Sequence, residues 1–529
     1  MKVLVSDKLG AAGMELLKKE KDLQVDEKTG LPPEELKKII GEYEAIIIRS
    51  GTKMTKELVD AGKNLRVIGR AGVGVDNVDL PAATKRGIIV MNTPGGNTIS
   101  TAEHAFSMLM ALARNIPQAY QSMSAGEWKR GKFLGTELNN KVLGVVGFGR
   151  IGREVAKRAL AFQMKVLVYD PFISREGMGQ YPVEFVDLKS MVKSADFITV
   201  HTPLTPETKY ILNAETFKIC KPGLRVVNCA RGGIVEEKAL LEALKSGKVA
   251  GAALDVFEKE PPVDNPLLKL PQVISTPHLG ASTQEAQENV AVEVVAQVAD
   301  ALLDRGIRNA VNLPSLDAET YKVLKPWIDL SEKIGALHSQ LFGAEIKTMT
   351  IRYGGMMADY NLRPITIAAL KGLLSPICGA SVNFVNAPEI AKERGVAVNE
   401  SRSTQTEDFS NYIEVEVASG KKESHRIMGT LFGKEFARIV RIDEFNIETE
   451  PKGYILFIQN EDKPGVVGTL GTILGKNKIN IAEMSLGRIQ KAKKMMALTV
   501  VNTDNEVSEK VLSEIKKFPP ILDAKVVKL

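Results

Sequence analysis

Three polar side chains, each placed after a short apolar segment, have the types and spacing for acid–base chemistry beside a bound anion. His278 lies in a Pro-His-Leu-Gly turn that lets its ring face a cleft, and Glu260 is the carboxylate that we expect to pair with it. A carboxylate bonded to one imidazole nitrogen fixes the tautomer and favours the protonated ring, which suits proton exchange with an oxygen near neutral pH. Arg231 ends a strand at the same predicted sheet edge, and a guanidinium binds a carboxylate through two hydrogen bonds and polarises an adjacent carbonyl.

A glycine-rich turn between two apolar segments predicts a nucleotide site. The stretch 142–169 has the pattern strand, turn, helix, strand, and its turn carries Gly147, Gly149 and Gly152 in the spacing G-x-G-x-x-G. The first glycine permits the tight turn, the second lets the backbone approach a pyrophosphate, and the third lets the helix pack against the strand. The free N–H groups at the N-terminus of the helix then hold the phosphates.

An acid at the end of the second strand indicates which dinucleotide binds. Asp170 comes 18 residues after Gly152 and is placed to accept hydrogen bonds from both hydroxyls of the adenosine ribose. A 2′-phosphate would meet this carboxylate, and Pro171 and Phe172 supply no arginine to offset the repulsion. The sequence therefore predicts NAD rather than NADP. The alternative is that the glycine-rich turn is only structural and binds no ligand.

Two further arginines end strands in the N-terminal segment. Arg49 is followed by Ser50 and a glycine, and Arg70 is followed by a turn rich in small residues. Because ligands of α/β sheets lie beyond the carboxyl ends of the strands, both arginines are expected to point toward a cleft. The alternative for each arginine alone is a solvated surface position.

The other polar candidates have more ordinary explanations. Asn97 lies where a loop meets a helix predicted over 98–113. His201 ends a strand, where its ring could line the nucleotide pocket. His104, His338 and His425 are expected to be structural or surface residues.

The composition is that of a globular protein with several domains. The chain has 529 residues, 44% of them apolar and 25% charged, so three or four hydrophobic cores are expected. No apolar run approaches the roughly 20 residues of a membrane helix. The three cysteines are too scattered for a disulfide framework or a zinc site, which fits a reducing cytoplasm and no metal. The net charge of +6 is spread along the chain, so neither a nucleic-acid nor a membrane partner is predicted.

The apolar pattern predicts four folded units. Strands and helices alternate as far as residue 97, and a long helix over 286–303 returns the chain to this first unit after the nucleotide unit. A region without glycine fingerprints follows, with a polar loop at 399–408 and a linker at 449–453. The final segment has the βαββαβ pattern of the ferredoxin-like fold. The predicted divisions are 1–97 with 284–314, 98–283, 315–450 and 453–529.

The motifs in combination resemble one enzyme family. They are Gly147-Phe-Gly-Arg-Ile-Gly152, His201-Thr-Pro-Leu, Asn228-Cys-Ala-Arg231-Gly-Gly, Asp255-Val-Phe-Glu-Lys-Glu260-Pro-Pro and Pro277-His278-Leu-Gly-Ala, preceded by Arg49-Ser50, Gly69-Arg70-Ala-Gly-Val-Gly-Val-Asp-Asn and Met91-Asn-Thr-Pro-Gly-Gly-Asn97. Over residues 1 to about 312 the sequence is similar to the D-isomer-specific 2-hydroxyacid dehydrogenases. The remainder is similar to extended members of that family, which carry an intervening domain and a terminal ACT domain.

The resemblance implies an α/β fold in which a Rossmann-type doubly wound nucleotide domain is inserted in a flavodoxin-like substrate domain. An α+β intervening domain and a ferredoxin-like βαββαβ ACT domain would follow, and the protein would be a homodimer or homotetramer. Arg231 would bind the substrate carboxylate and carbonyl, His278 would exchange the proton, and Glu260 would support the histidine. The substrate-binding residues implied are Arg49, Ser50, Arg70, Asn97 and Arg130. The NAD-binding residues implied are Gly147, Gly149, Arg150, Ile151, Gly152, Asp170, Thr202, Cys229, Ala230, Arg231, Asp255, His278, Gly280 and Ala281.

The activity implied is the NAD-dependent oxidation of 3-phospho-D-glycerate to 3-phosphooxypyruvate (3-phosphohydroxypyruvate), the first step of L-serine biosynthesis. L-serine is the expected effector, bound at Asp462, Gly465 and Asn480 of the ACT domain. One alternative is a glyoxylate or hydroxypyruvate reductase, which would need neither the extra arginines nor the ACT domain. Another alternative is an NAD-sensing binding protein similar to the transcriptional corepressors of this fold. The chain argues against it, because a binding protein would not need the complete set of Arg231, Glu260 and His278.

Overall fold

Four sheets with their helices make up the part of the chain that the structure describes. The structure is a computed structural model, and it describes residues 1–171, 181–314, 316, 318–343, 345–355, 360–379, 381–403, 408–419, 424–491 and 494–529. Within these residues, no helix is both long enough and apolar enough to span a membrane.

The first sheet has the strand order of flavodoxin-like folds. Its elements are β1 (Lys2–Val5), α1 (Ala11–Lys19), β2 (Gln24–Glu27), α2 (Pro33–Ile39), β3 (Ala45–Ile48), α3 (Lys56–Ala61), β4 (Val67–Arg70), α4 (Leu80–Lys85) and β5 (Ile89–Met91). The strands are parallel in the order β2-β1-β3-β4-β5. All four residues of β3 are buried, as expected for a parallel strand that is covered by helices on both faces.

The second sheet is the doubly wound nucleotide sheet. Its elements are α5 (Thr98–Arg114), α6 (Ile116–Ser124), β6 (Val142–Val146), α7 (Arg150–Ala161), β7 (Lys165–Tyr169), β8 (Glu184–Phe185), α8 (Leu188–Ser194), β9 (Phe197–Val200), α9 (Ala214–Ile219), β10 (Leu224–Asn228), α10 (Glu237–Lys245), β11 (Val249–Leu254) and β12 (Val273–Ser275). The parallel order β12-β11-β10-β9-β6-β7-β8 reverses direction at β6, next to the glycine-rich turn. Dinucleotides bind at such a reversal.

A long helix carries the chain back to the first sheet. Helix α11 (Gln284–Leu302) shares a core with β1 and β3, in which Val294, Val295 and Val298 are fully buried. Beyond the helix, Ala310 forms a bridge to Met91 of β5. The nucleotide sheet is therefore inserted in the first unit, as the sequence predicted.

The third unit is mixed. Its elements are α12 (Ala318–Phe342), β13 (Thr348–Gly355), α13 (Arg363–Cys378), α14 (Ala387–Glu393), β14 (Ala397–Ser403), β15 (Asn411–Ala418), β16 (Ser424–Phe432), β17 (Phe436–Ile442) and β18 (Phe445–Thr449). The polar loop predicted at 399–408 is wrong for residues 399–403, because these form edge strand β14, parallel to β13. The strand is almost wholly exposed, so it lacks the apolar alternation that marks a half-buried strand. Positions 404–407 of the predicted loop lie outside the described residues.

The last unit has the predicted ferredoxin-like topology. Its elements are β19 (Tyr454–Glu461), α15 (Val466–Lys476), β20 (Ile481–Lys491), β21 (Lys494–Thr503), α16 (Glu509–Lys516) and β22 (Ile521–Lys528). The antiparallel order is β20-β21-β19-β22. Both helices lie on one face and share a core with Leu456 and Ile458 of β19.

The other face of this last sheet packs against the third unit. Ile455 and Phe457 of β19 belong to the same buried cluster as Leu337 and Leu341 of α12. The segment predicted as a linker is a docked connection, because Thr449 is buried and its hydroxyl donates to Asn502 Oδ1 at 2.6 Å. The two C-terminal units therefore form one packed body.

Candidate active site

The glycine-rich turn has room for a pyrophosphate. Gly147 has φ +94°, a left-handed conformation that glycine adopts without strain, and a Cβ at Gly152 would lie 2.0 Å from the Gly147 carbonyl oxygen. A Cβ at Gly149, which precedes α7, would meet nothing within 4 Å. Arg150 and Ile151 then open the helix, so its first N–H groups face this open space.

Asp170 lies against the same turn. Its Oδ2 accepts a hydrogen bond from the Phe148 N–H at 2.6 Å, which fixes the carboxylate beside the turn at the end of β7. The adenosine ribose of a dinucleotide lies at this position in Rossmann folds. Phe172, which entered the cofactor prediction, lies outside the described residues.

Several buried polar atoms around the nucleotide cleft fit a bound dinucleotide. Thr202 Oγ1, after β9, and Asn97 Oδ1 and Thr101 Oγ1, at the start of α5, have no hydrogen-bond partner in the described part of the chain. Unpaired buried polar atoms are rare because they are costly, and a ligand is one way to pair them. His201 has one paired and one unpaired ring nitrogen: Nε2 is 2.9 Å from Thr199 Oγ1, whereas the buried Nδ1 has no partner in the described part of the chain. Burial lowers the pKa of His201 to about 4, which keeps the ring neutral.

The loop after β10 presents Arg231. Asn228 ties the loop together, since its side chain donates to the Arg231 carbonyl at 2.9 Å and accepts from the Ala230 N–H at 3.0 Å. A Cβ at Gly232 would lie 1.9 Å from the Phe257 carbonyl, so this loop packs directly on the loop after β11. That second loop leads to Glu260, whose Oε1 accepts from the Phe257 N–H at 3.2 Å.

His278 and Glu260 form a pair. Nδ1 of His278 is 2.9 Å from Oε2 of Glu260, and half of the histidine side chain is exposed. A carboxylate accepts, so Nδ1 carries the proton and Nε2 is the nitrogen left to meet a substrate. The sequence paired these two residues, and the structure brings them together.

One buried carboxylate holds the backbone around His278. Asp255 accepts the N–H groups of Leu279 and Gly280 at 2.7 and 2.9 Å, and its carbonyl accepts the His278 N–H at 2.9 Å. Burial raises the pKa of Asp255, but hydrogen bonds from His104, Thr276 and Leu279 outweigh it, so the pKa lies below its ordinary value. This charge therefore stays fixed beneath the His278–Ala281 loop.

Sequence reasoning missed His104 in this arrangement. Its Nε2 lies 3.2 Å from Asp255 Oδ1 and 3.1 Å from Thr276 Oγ1, so it supports the carboxylate that holds the histidine loop. Cys229 lies in the same group, where burial raises the pKa of its thiol well above the ordinary value and keeps it neutral. The helical spacing of His104 predicted a structural histidine, and nothing local signals a partner 151 positions away.

The strand-end arginines come together with Arg231. Burial is the main cause that lowers the pKa of Arg70 to about 10, and the positive charge of Arg231 lowers it further. Asp76 acts in the opposite direction, and Arg49 adds to the lowering. Arg49 itself donates to the Lys8 carbonyl at 3.1 Å. The loop after β4 links two of these groups, since a Cβ on Gly72 would lie 2.0 Å from Arg70 Nη1 and a Cβ on Gly74 would lie 1.9 Å from Arg231 Nη2. Cations from both sheets thus meet at this loop, between the first two units.

Asp7 shapes the loop that carries Arg49 and Ser50. Its carboxylate accepts the N–H of Arg49 at 2.6 Å and that of Thr52 at 3.0 Å, and it was absent from the sequence prediction. Asn77 donates to the carbonyls of Arg49 and Thr52, both at 2.6 Å. The loop is thereby fixed from two sides.

The remaining predicted residues lie apart from this cluster. Arg130 is exposed on a short 3₁₀ turn, and among the residues that the structure describes no hydrogen bond or ion pair joins it to the other arginines. In the last unit, Asp462 binds Arg488 at 2.6 Å, Asn480 donates to Asp504 at 2.8 Å, and Gly465 precedes α15 with φ +93°. No described contact joins Asp462 to Asn480 within one chain.

Comparison with known proteins covers both halves of the chain. Family models match the NAD binding domain of the D-isomer specific 2-hydroxyacid dehydrogenases at residues 106–280, the D-3-phosphoglycerate dehydrogenase intervening domain at 323–443 and the ACT domain at 454–520. The curated D-3-phosphoglycerate dehydrogenase of Archaeoglobus fulgidus is 46% identical, with 100% of each chain covered. That of Bacillus subtilis is 44% identical, with 100% of this chain and 99% of the relative covered.

Solved structures match the first two units. A glyoxylate reductase from Paecilomyes thermophila is 30% identical with a TM-score of 0.55, over 59% of this chain and 98% of that one. An NAD-dependent formate dehydrogenase from Staphylococcus aureus in complex with NAD is 31% identical with a TM-score of 0.54, over 60% of this chain and 100% of that one.

The fold and the site define an NAD-binding dehydrogenase of the D-isomer specific 2-hydroxyacid class, which confirms the resemblance seen in the sequence. Within that class, the chain belongs to the D-3-phosphoglycerate dehydrogenase family, in the form that carries an intervening domain and an ACT domain.

Proposed function

We propose that this protein catalyses the NAD-dependent oxidation of 3-phospho-D-glycerate to 3-phosphooxypyruvate, the first step of L-serine biosynthesis. The observation that carries the proposal is that three arginines from the two sheets lie against one loop, residues 72–77. A Cβ on Gly72 would lie 2.0 Å from Arg70 Nη1, and a Cβ on Gly74 would lie 1.9 Å from Arg231 Nη2. Asn77 of the same loop donates to the Arg49 carbonyl. The substrate has a carboxylate at one end and a phosphate at the other, and one guanidinium can pair with only one of them. The names of the full-length relatives also support it.

The proposed chemistry divides among three side chains. Arg231 binds the substrate carboxylate and orients the C2 hydroxyl, and Nε2 of His278 accepts the proton as the O–H bond breaks. Glu260 stabilises the imidazolium that forms, because its carboxylate is bonded to Nδ1. NAD, when bound, supplies the acceptor for the hydride that leaves C2, so that a C=O bond replaces the C–H and O–H bonds.

The proposed NAD site follows the carboxyl edge of the nucleotide sheet. Gly147, Gly149 and Gly152, with Arg150 and Ile151, would receive the pyrophosphate, and Asp170 would receive the adenosine ribose. The residues nearer the chemistry would be Thr202, Cys229, Ala230, Arg231, Asp255, His278, Gly280 and Ala281. The unpaired buried oxygen of Asn97 supports its role at the junction of the cofactor and substrate sites.

An amino-acid effector is proposed for the ACT domain, with L-serine as the candidate. Asp462 and Gly465 border the loop before α15, and Asn480 precedes β20. The site would form between two copies of the domain, so it would require the homo-oligomer proposed below. Such an effector inhibits only if it binds two states of the enzyme with different affinities.

A homo-oligomer, dimer or tetramer, is also proposed. Ile116, Tyr120, Met123, Trp128 and Leu134 are each more than half exposed on α6 and the segment after it. Monomeric proteins rarely expose so many large apolar side chains together, and such a patch suits a second copy. Arg130 lies in this segment, so its proposed substrate contact would be made to a partner's cleft. Sedimentation measurements test the oligomer directly.

We also propose the domain limits and a cytoplasmic location. The four domains would be 1–97 with 284–314, 98–283, 315–450 and 453–529. The location is proposed because the three cysteines show no disulfide pattern, as is usual in a reducing compartment.

The decisive experiment is an NADH oxidation assay with phosphohydroxypyruvate, hydroxypyruvate, glyoxylate and 2-oxoglutarate. The proposal expects the highest kcat/KM for phosphohydroxypyruvate. Preference for glyoxylate or hydroxypyruvate would identify a reductase of the same family instead. NADH binding without turnover of any of the four would favour a binding protein, and either result would overturn the proposal.

A further inference from the structure

Arg231 is paired across the catalytic cleft with a residue that belongs to the other unit. Its Nε donates to Oδ2 of Asp76 at 3.0 Å, and its Nη1 donates to the Ala230 carbonyl at 2.7 Å. Asp76 lies in the loop after β4 of the first sheet, whereas Arg231 follows β10 of the second. The guanidinium assigned to the substrate carboxylate thus already has a carboxylate beside it.

Glycines in the loop before Asp76 leave room for the ion pair between Asp76 and Arg231. A Cβ on Gly74 would lie 1.9 Å from Arg231 Nη2 and 2.8 Å from Asp76 Oδ2. Any side chain at position 74 would therefore displace the guanidinium. A Cβ on Gly72, where φ is +145°, would lie 2.0 Å from Arg70 Nη1. The loop that carries Asp76 is in contact with two of the cleft arginines.

The charges of this cleft are unbalanced without Asp76. Arg49, Arg70 and Arg231 are close enough that each of the other two guanidinium charges lowers the pKa of Arg70. Asp76 and Asp7 are the carboxylates that act in the opposite direction on Arg70. Asp7 is occupied by the backbone of the Arg49 loop, so Asp76 is the carboxylate that pairs with a cleft arginine through its side chain.

We propose that Asp76 is an internal counter-ion for Arg231, which the carboxylate of a 2-hydroxy or 2-oxo acid displaces when it binds. This inference rests on the proposed role of Arg231 in substrate binding. Asp76 would then raise the KM of each such acid by a small factor, because the acid must displace Asp76 before its carboxylate can pair with the guanidinium.

The exposure of the pair suits such an exchange. The Asp76 side chain is 74% exposed and that of Arg231 is 29% exposed. An ion pair in contact with water is weak, so displacing it costs the substrate little binding free energy. A fully buried pair would hold the guanidinium permanently and would block the site.

The test compares Asp76→Asn with the wild type. KM for phosphohydroxypyruvate should fall about two- to fivefold, the range expected when one exposed ion pair no longer competes. The difference should shrink at about 1 M salt, where charges are screened beyond about 3 Å. Asp60→Asn is the matched control, because Asp60 is a carboxylate of the same unit that pairs with Lys56 on the surface and should leave KM unchanged.

A second readout separates this inference from the proposed function. Oxalate, an unreactive dicarboxylate, should bind the NADH complex of Asp76→Asn more tightly than that of the wild type, measured by NADH fluorescence. If oxalate binding tightens but phosphohydroxypyruvate is not reduced, the proposed function fails and the counter-ion role stands. An unchanged or raised KM with unchanged oxalate binding overturns the role. A lowered kcat that Asp76→Glu restores also overturns it, because Asp76 would then position Arg231 rather than compete for it.

Discussion

Glu260 Oε2 lies 2.9 Å from Nδ1 of His278. The carboxylate thus binds one ring nitrogen and leaves the other, Nε2, to exchange a proton with the substrate. The two residues come from loops that follow β11 and β12, and Asp255 fixes the second loop through two backbone N–H groups. The imidazole is therefore held from its far side, while the tautomer leaves Nε2 free to accept a proton.

Replacing the histidine tests this arrangement. His278→Ala should lower kcat at least about 10²-fold, the usual loss when a general acid–base is removed, and NADH binding should stay near normal. Steady-state kinetics and fluorescence titration measure the two effects. Near-wild-type turnover would contradict the proposed proton transfer.

Glu260→Gln isolates the partner in the same test. The negative charge of Glu260 stabilises the imidazolium that forms when the substrate gives up its proton, so its loss should lower kcat. Some activity should remain, because the amide oxygen can still accept from Nδ1. An unchanged kcat would show that the carboxylate only orients the ring.

Cofactor choice depends on Asp170. The carboxylate is held against the glycine turn by the Phe148 N–H, so a 2′-phosphate would meet a fixed negative charge. Asp170→Ala should lower the preference for NADH over NADPH in kcat/KM. A wild-type enzyme that already prefers NADPH would contradict this assignment.

Local patterns in the sequence predicted the strands, turns and loops that carry the residues of the candidate active site. The glycine spacing required the turn between β6 and α7, and the carboxyl edge of a parallel sheet brought His278 and Glu260 together. Both inferences hold because they depend on neighbouring strands of one sheet. Edge strand β14 was missed because an exposed strand of polar residues leaves no periodic signal.

Contacts between distant units could not be predicted in this way. Arg231 and Asp76 are 155 positions apart and lie on different sheets, so their pairing depends on how the two units are arranged. One missed contact did have a signal. Four successive apolar residues, 455–458, indicate a strand that is buried on both faces, and the second face proves to be covered by the third unit.

The proposed phosphate contact of Arg49 can be measured by comparing two substrates. Arg49 lies on the unit opposite Arg231, at the end of β3. Arg49→Ala should therefore raise KM for phosphohydroxypyruvate much more than KM for hydroxypyruvate, which lacks the phosphate. Equal increases for both substrates would show that Arg49 does not bind the phosphate.

The last prediction concerns which part of the C-terminal half can be removed. The ACT sheet and the intervening domain share one core, joined further by hydrogen bonds between Gln340 and the Lys528 backbone at 3.0 and 3.1 Å. Removing residues 453–529 would expose the apolar partner surface of α12. Each large apolar side chain that loses its burial costs about 1.5–3 kcal/mol, and a whole domain is stable by only about 5–15 kcal/mol.

A chain that ends at residue 452 should therefore aggregate or unfold at a lower temperature, whereas one that ends at residue 314 should stay folded and active without serine inhibition. The first unit meets the third through polar interactions that include Lys85 with Glu393 at 2.8 Å and Asn383 with the Gly87 carbonyl at 2.8 Å, so the shorter chain would expose a polar surface there. The matched glyoxylate reductase, 98% covered by 59% of this chain, is an enzyme of that shorter length.

Thermal melts, sedimentation and activity with and without serine measure each outcome. Asn480→Ala in the full chain is the control, since it should weaken inhibition without destabilising the shared core. If the 1–452 chain melts like the full chain, the shared core contributes less than its burial indicates. If the 1–314 chain is still inhibited by serine, the effector site lies outside the ACT domain.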